Sequence, residues 1–135
     1  MMNYKEIFES YKNIAVVGMS RHLSKPSFTV PSFMKKQGYN VIPVNPLADS
    51  ILKVKAYPNL LAIPDRIDIV NVFRPSENAV EIVKEAIKRR NEKGDVELIW
   101  LQLGIHNEEA KHLAMQNDIE YLEDVCMYVA YNEVV

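Results

Sequence analysis

Ile14-Ala15-Val16-Val17-Gly18-Met19-Ser20, running on into RHLSKPS over residues 21–27, has the pattern of a buried strand that delivers the chain to a small polar loop. Four apolar residues, three of them β-branched, stop at a glycine and a serine, as in a strand covered on both faces. Gly18 lets the backbone approach a ligand without an intervening Cβ. The amides of a helix start after the loop would point outward, unpaired and partly positive, which suits an anion. The same pattern also opens any α/β domain whose first turn binds nothing, so this segment alone leaves both readings open.

Upstream, Ile7, Phe8 and Tyr11 stand at helical spacing and predict a short helix over residues 4–11. Downstream, a helix is expected to begin between Ser27 and Pro31 and to end near Gln37. Ser27 would be its N-cap, Pro31 would lie in or near its first turn, and Gly38 would follow its end. Residues 39–44 (YNVIPV) form a second strand ended by Asn45-Pro46. Residues 47–64, bracketed by prolines, form an irregular connection with a short extended piece near 54–57. Strands follow at 67–73 (IDIVNVF), 96–101 (VELIWL) and 119–122. Two amphipathic helices separate them. One opens at Arg74-Pro75-Ser76, carries Ala79, Ile82, Val83, Ala86 and Ile87 on one stripe, and stops at Gly94. The other is capped by Asn107, with Glu108 and Glu109 in its first turn, and ended by Asn117.

Short β-rich runs alternating with amphipathic helices imply a parallel sheet, because a crossover helix is the compact route between parallel strands. The expected fold is α/β: a Rossmann-like, doubly wound, mainly parallel five-stranded sheet with helices on both faces, in a single domain over residues 1–135. Such a sheet binds ligands at the carboxyl ends of its strands. That rule gathers Gly18 to Ser27, Asn45-Pro46, Phe73-Arg74 and Gln102 to Gly104 onto one rim.

Composition narrows the function classes. The 135 residues suit one domain, and a formal net charge of −2 gives no support for nucleic-acid or membrane-surface binding. No apolar run has signal-peptide or membrane-span length, and Cys126 is the only cysteine. A soluble cytoplasmic protein is expected. A nicotinamide dinucleotide fits poorly. Gly18 is followed by Met19, Ser20 and then Leu23 instead of the GxGxxG glycines, and Asn45-Pro46 stands where a ribose-binding carboxylate belongs. The rim instead offers hydroxyls on Ser20 and Ser27 and charge on Arg21, His22, Lys25 and Arg74, a set suited to a ligand with several phosphates. Each of Arg21 and Lys25 alone also reads as a solvated loop charge. Phe73 either packs on a base or caps the core.

The segments VVGMS (16–20), SKPS (24–27), VIPVNP (41–46), YPNL (57–60), DIVNVFRP (68–75) and WLQLGIHNEEA (100–110) together resemble the small single-domain coenzyme A-binding proteins. These are related to the CoA-binding domain of the succinyl-CoA synthetase α subunit. The resemblance implies a Rossmann-like fold that binds CoA or an acyl-CoA. Gly18, Met19 and Ser20, with Lys25 and Ser27, would line the phosphate region. Asn45, Pro46, Val72, Phe73 and Arg74 would flank the adenosine side, and Gln102 and Gly104 would stand near the remaining crevice. The family's Asp-Arg-Cys motif is Asp124-Val125-Cys126 here, which loses the arginine. Cys126 is either a buried structural thiol or a partner for exchange with the CoA thiol.

No catalytic constellation assembles. His22, His106 and His112 lack metal-ligand spacing, and Cys126 has no activating sequence neighbour. A binding module is favoured. Two alternatives stand beside it: an NAD- or NADP-dependent oxidoreductase with an atypical Rossmann loop, and a protein-interaction subunit with a vestigial crevice.

Overall fold

The structure, a computed structural model, describes residues 2–135. Its elements are α1 (Tyr4–Ser10), β1 (Asn13–Val17), α2 (Pro26–Lys36), β2 (Asn40–Val44), β3 (Ser50–Ile51), β4 (Val54–Lys55), β5 (Ile69–Val72), α3 (Ala79–Lys93), β6 (Leu98–Leu101), α4 (Glu108–Gln116), β7 (Glu120–Leu122) and α5 (Met127–Val134). The main sheet has the order β2-β1-β5-β6-β7, with every pairing parallel. This is the five-stranded Rossmann-like sheet expected from the alternation of strand and helix patterns. The chain reverses direction across the sheet between β1 and β5, so their carboxyl ends form the switch point.

Because successive strand residues face opposite ways, one strand supplies two cores. Ile14, Val16, Val41, Ile69, Leu98 and Trp100 pack beneath α1, α2 and α5. Ala15, Ile42, Val70, Val72, Ile99 and Leu101 pack beneath α3 and α4. Trp100 is fully buried against Tyr4 and Phe8, and its indole N–H donates to the carbonyl of Val125 at 2.9 Å.

Several boundaries differ from the sequence reading. α2 begins at Pro26 with Lys25 as its N-cap, so Ser27 lies inside the helix and Pro31 in its interior. β6 starts at Leu98, not 96, because Val96 is held at φ 67°. A β-branched residue in the left-handed region costs about 1–3 kcal/mol. It is fixed by a 2.8 Å bond from its N–H to the Ile67 carbonyl and a 2.7 Å bond from Arg90 to its own carbonyl. The sequence reading also has no counterpart for α5. Its Met127 and Ala130 are buried, with Tyr131 and Val134 packed alongside at the same helical spacing. The 47–64 connection holds a small antiparallel hairpin of β3 and β4 whose two turn residues, Leu52 and Lys53, both have positive φ. Tyr57 bridges to Val44 beside it.

A single buried ion pair ties the connection to α3. Arg89 and Asp95 are both buried and meet at 2.8 Å. Arg89 also donates to the carbonyls of Leu60 (2.8 Å), Ile63 (2.6 Å) and Asp65 (2.7 Å), while Asp95 accepts from the N–H of Ile67 at 2.9 Å. Three carbonyls in and just after the 3-10 turn over Leu60–Ala62 thus find a charged donor. Burial by itself would push the Asp95 carboxyl up. The bond from Arg89 and the Ile67 N–H outweigh it and hold the group below its ordinary 3.8.

Removing one partner leaves the other charge buried and unpaired. Arg89→Met is therefore expected to cost about 3–5 kcal/mol in urea unfolding. Since the folded value for Asp95 lies below the unfolded one, its contribution is complete above pH 3.8 and lost as pH falls through the depressed value. Asp95→Asn should remove that part of the pH slope from stability measured between pH 7 and pH 2, and an unchanged slope would place the acid sensitivity elsewhere.

Candidate functional site

At the switch point, β1 runs out into Gly18 and β5 into Phe73-Arg74, and the two ends are in contact. Gly18 has φ +86°, and a Cβ built on it would lie 2.9 Å from Arg74 Cδ and 3.2 Å from the Phe73 carbonyl oxygen. Glycine is needed twice over, for its left-handed backbone and for the arginine stem that crosses above it. Its N–H donates to the Val44 carbonyl at 3.0 Å, which pins the loop to the end of β2.

The rest of the loop is held by two further devices. Asn45 donates its side-chain amide to the Met19 carbonyl at 3.0 Å and accepts the Leu47 N–H at 2.8 Å. The second device is Pro31. Proline has no N–H, so the carbonyl four residues earlier, that of Ser27, has no helical donor. That carbonyl takes the Ser20 N–H at 3.1 Å. The proline that looks misplaced inside α2 thereby releases the acceptor that ties the loop to the helix.

These bonds shape a cleft of about 590 Å³. Gly18, Met19, Ser20, Lys25 and Ser27 line one side, Asn45 and Pro46 stand at the end of β2, and Phe73 and Arg74 stand at the end of β5. Met19 is fully buried, with its side chain in the core, and supports the loop from beneath. Phe73 both packs on the core under α1 and α2 and borders the cleft.

Four expected positions lie outside the lining. Arg21 is an exposed loop charge, and Val72 is buried in the core beneath α3. Gln102 is buried at the end of β6, where its side-chain Oε1 accepts the Met127 N–H at 3.3 Å and serves the start of α5. Gly104 is exposed and donates to Asp124 at 2.6 Å. The segment leading into α5 occupies that part of the rim. Cys126, half-buried, caps α5 and borders a separate apolar cleft of about 380 Å³ with Pro26, Val30 and Phe33.

The lining also contains Leu47, Pro58, Asn59, Leu60, Ile82 and Glu85, none of them among the site residues expected from sequence. Tyr57 to Leu60 carried a motif signal, whereas Ile82 and Glu85 looked like ordinary residues of an amphipathic helix.

The electrostatics favour an anion at one end. α1 is closed by a capping box from Asn3 and α4 by the side chain of Asn107, but Lys25 makes no side-chain cap on α2 and the first turn of α2 has no acidic residue. Among the described residues the Ser27 N–H has no protein partner, and neither Lys25 nor Arg74 forms a salt bridge. An open helix start, two uncommitted cations and the hydroxyls of Ser20 and Ser27 converge where phosphate oxygens could accept from all of them.

Comparison with known proteins agrees with this geometry. Residues 12–132 match the family model described as CoA binding domain, and the chain belongs to that family. It is 39% identical over 127 residues to the protein YneT of Bacillus subtilis (strain 168), covering 94% of this chain and 90% of that one. It is 38% identical over 80 residues to acetate–CoA ligase [ADP-forming] II of Archaeoglobus fulgidus, covering 58% of this chain but 12% of the ligase. A solved structure from Thermus thermophilus superposes with a TM-score of 0.90 at 30% identity, covering 99% of this chain and all of that one.

The Gly18–Arg74 approach is open to a double-mutant test. Gly18→Ala should destabilise by about 1–2 kcal/mol from the left-handed backbone alone, with the collision against Arg74 added. Gly18→Ala combined with Arg74→Ala should recover the collision part and leave the backbone part. Strict additivity in chemical unfolding would mean that the two residues do not share this contact.

Proposed function

We infer that the protein binds coenzyme A, or an acyl-CoA, in the cleft at the β1/β5 switch point, as a single CoA-binding unit. The observation that carries this reading is the convergence of the uncapped start of α2, the Gly18 cradle and the unpaired Lys25 and Arg74 at one end of the cleft. The pyrophosphate of CoA needs such an end. The residues present fit it: Ser20, Ser27 and the Ser27 N–H would donate to the phosphates, and Lys25 and Arg74 would supply the charge. Phe73, Pro46 and Ile82 would offer apolar surface to the adenosine.

The family match supports the same ligand, and the ligase relative supports a role for this fold in handling CoA within a larger enzyme. The chain spans about an eighth of that ligase, so its acyl-transfer activity does not carry over with the domain. No helix among the described residues is long and apolar enough to cross a membrane. With the lone cysteine, this supports a cytoplasmic site of action.

A ligand that binds only the native state raises stability by mass action, by about 2.7 kcal/mol at a hundred times its Kd. Thermal unfolding of the ligand-stripped protein with CoA, acetyl-CoA, NAD, NADP and ATP in parallel should show an increase with CoA or acetyl-CoA. Lys25→Ala combined with Arg74→Ala should abolish it. An increase with NAD or NADP alone would move the assignment to the oxidoreductase reading, and no increase with any ligand would move it to an interaction subunit.

A further inference from the structure

The geometry points to Glu85 as the residue that sets the direction and base preference of the bound nucleotide, by accepting a hydrogen bond from the exocyclic amino group of the adenine. This inference rests on the CoA reading above. Glu85 is the only acidic side chain in the cleft lining among the described residues. It lies on α3, which covers one face of the sheet, whereas Lys25 and the start of α2 belong to the other face. The cleft therefore runs from a cationic end over one face to an acidic end over the other. The pyrophosphate then belongs at the cationic end, and the group at the acidic end must be a hydrogen-bond donor.

The carboxylate is not free to swing away. Glu85 is half-buried, and one of its oxygens accepts the N–H of Leu60, the first residue of the 3-10 turn that walls the cleft. That bond fixes the side chain and leaves its second oxygen without a protein hydrogen bond among the described residues. A carboxylate only accepts hydrogen bonds, so the group beside it must donate, and a phosphate is repelled. Pro58, Ile82 and Phe73 supply apolar surface to the same cleft, the surroundings that suit a flat base. A base resting there would turn one edge toward Glu85, and adenine carries an amino donor on its edge.

A hydrogen bond to a charged acceptor in such a site is worth about tenfold or more in affinity. Isothermal titration of the protein with CoA, with a CoA analogue whose 6-amino group is replaced by hydrogen, and with a 2′-deoxy analogue checks this. The unaltered protein should bind the desamino analogue at least tenfold more weakly than CoA and the 2′-deoxy analogue within about threefold of it. In Glu85→Gln the amide oxygen still accepts from Leu60, so the melting point should hold, while the tenfold preference for the amino group collapses. Equal binding of CoA and the desamino analogue by the unaltered protein would overturn the inference and leave the CoA reading intact. So would a preference lost only with the 2′-deoxy analogue, which would assign Glu85 to the ribose. Equal weakening of all three ligands in Glu85→Gln would reduce the residue to a wall anchor. Failure of the unaltered protein to bind CoA at all would remove both readings.

Discussion

Five strands that all run the same way bring every loop following a strand to the same edge of the sheet. Everything functional in this chain depends on that constraint. Gly18, Asn45 and Arg74 are separated by 27 and 29 residues in sequence, yet each lies within two residues of the end of a strand, and β1 pairs with β2 on one side and with β5 on the other. The switch in direction between β1 and β5 then spreads the two crossover helices onto opposite faces, and the gap between their loops is the cleft.

The loop at that gap owes its shape to contacts made far from any ligand. Pro31 withholds a donor from the Ser27 carbonyl, Asn45 holds the Met19 carbonyl, and Val44 holds the Gly18 N–H. With these backbone groups satisfied inside the protein, the Ser27 N–H keeps no protein partner among the described residues, and the Ser20 hydroxyl, which accepts the His22 N–H at 2.9 Å, keeps its own proton to donate. The opposite wall is secured by Arg89, whose guanidinium gathers three carbonyls of the connection while Asp95 neutralises it. A buried charge is a costly anchor, and here it satisfies the carbonyls of an irregular segment whose Leu60 and Ile63 are already buried in the core. The wall that carries Pro58, Asn59 and Leu60 is thus built from α3 outward.

Which parts were readable from sequence follows from the physics of each. β1, β5 and the stripe of α3 announce themselves through apolar runs and helical periodicity, which depend on neighbours a few residues away. The β3–β4 hairpin does not, because its turn uses Leu52 and Lys53 at positive φ instead of the Asn-Gly that signals such a turn. The true start of β6 is hidden for the same reason, since nothing in the residue type of Val96 foretells a left-handed backbone. α5 had a signal in the spacing of Met127, Ala130, Tyr131 and Val134, but it follows the last strand, where the strand-helix alternation had no further strand to connect.

The sequence by itself determined the fold class, the carboxyl-end rim and the concentration of hydroxyls and cations in the first loop, because hydrophobic period and local residue chemistry set these over short distances. Only the tertiary structure decided which rim residues meet. It turned Gln102 inward to serve α5, placed Val72 in the core, and brought Glu85 from a helix face to the cleft. Those outcomes depend on packing between segments distant in sequence, and no local pattern carries that information.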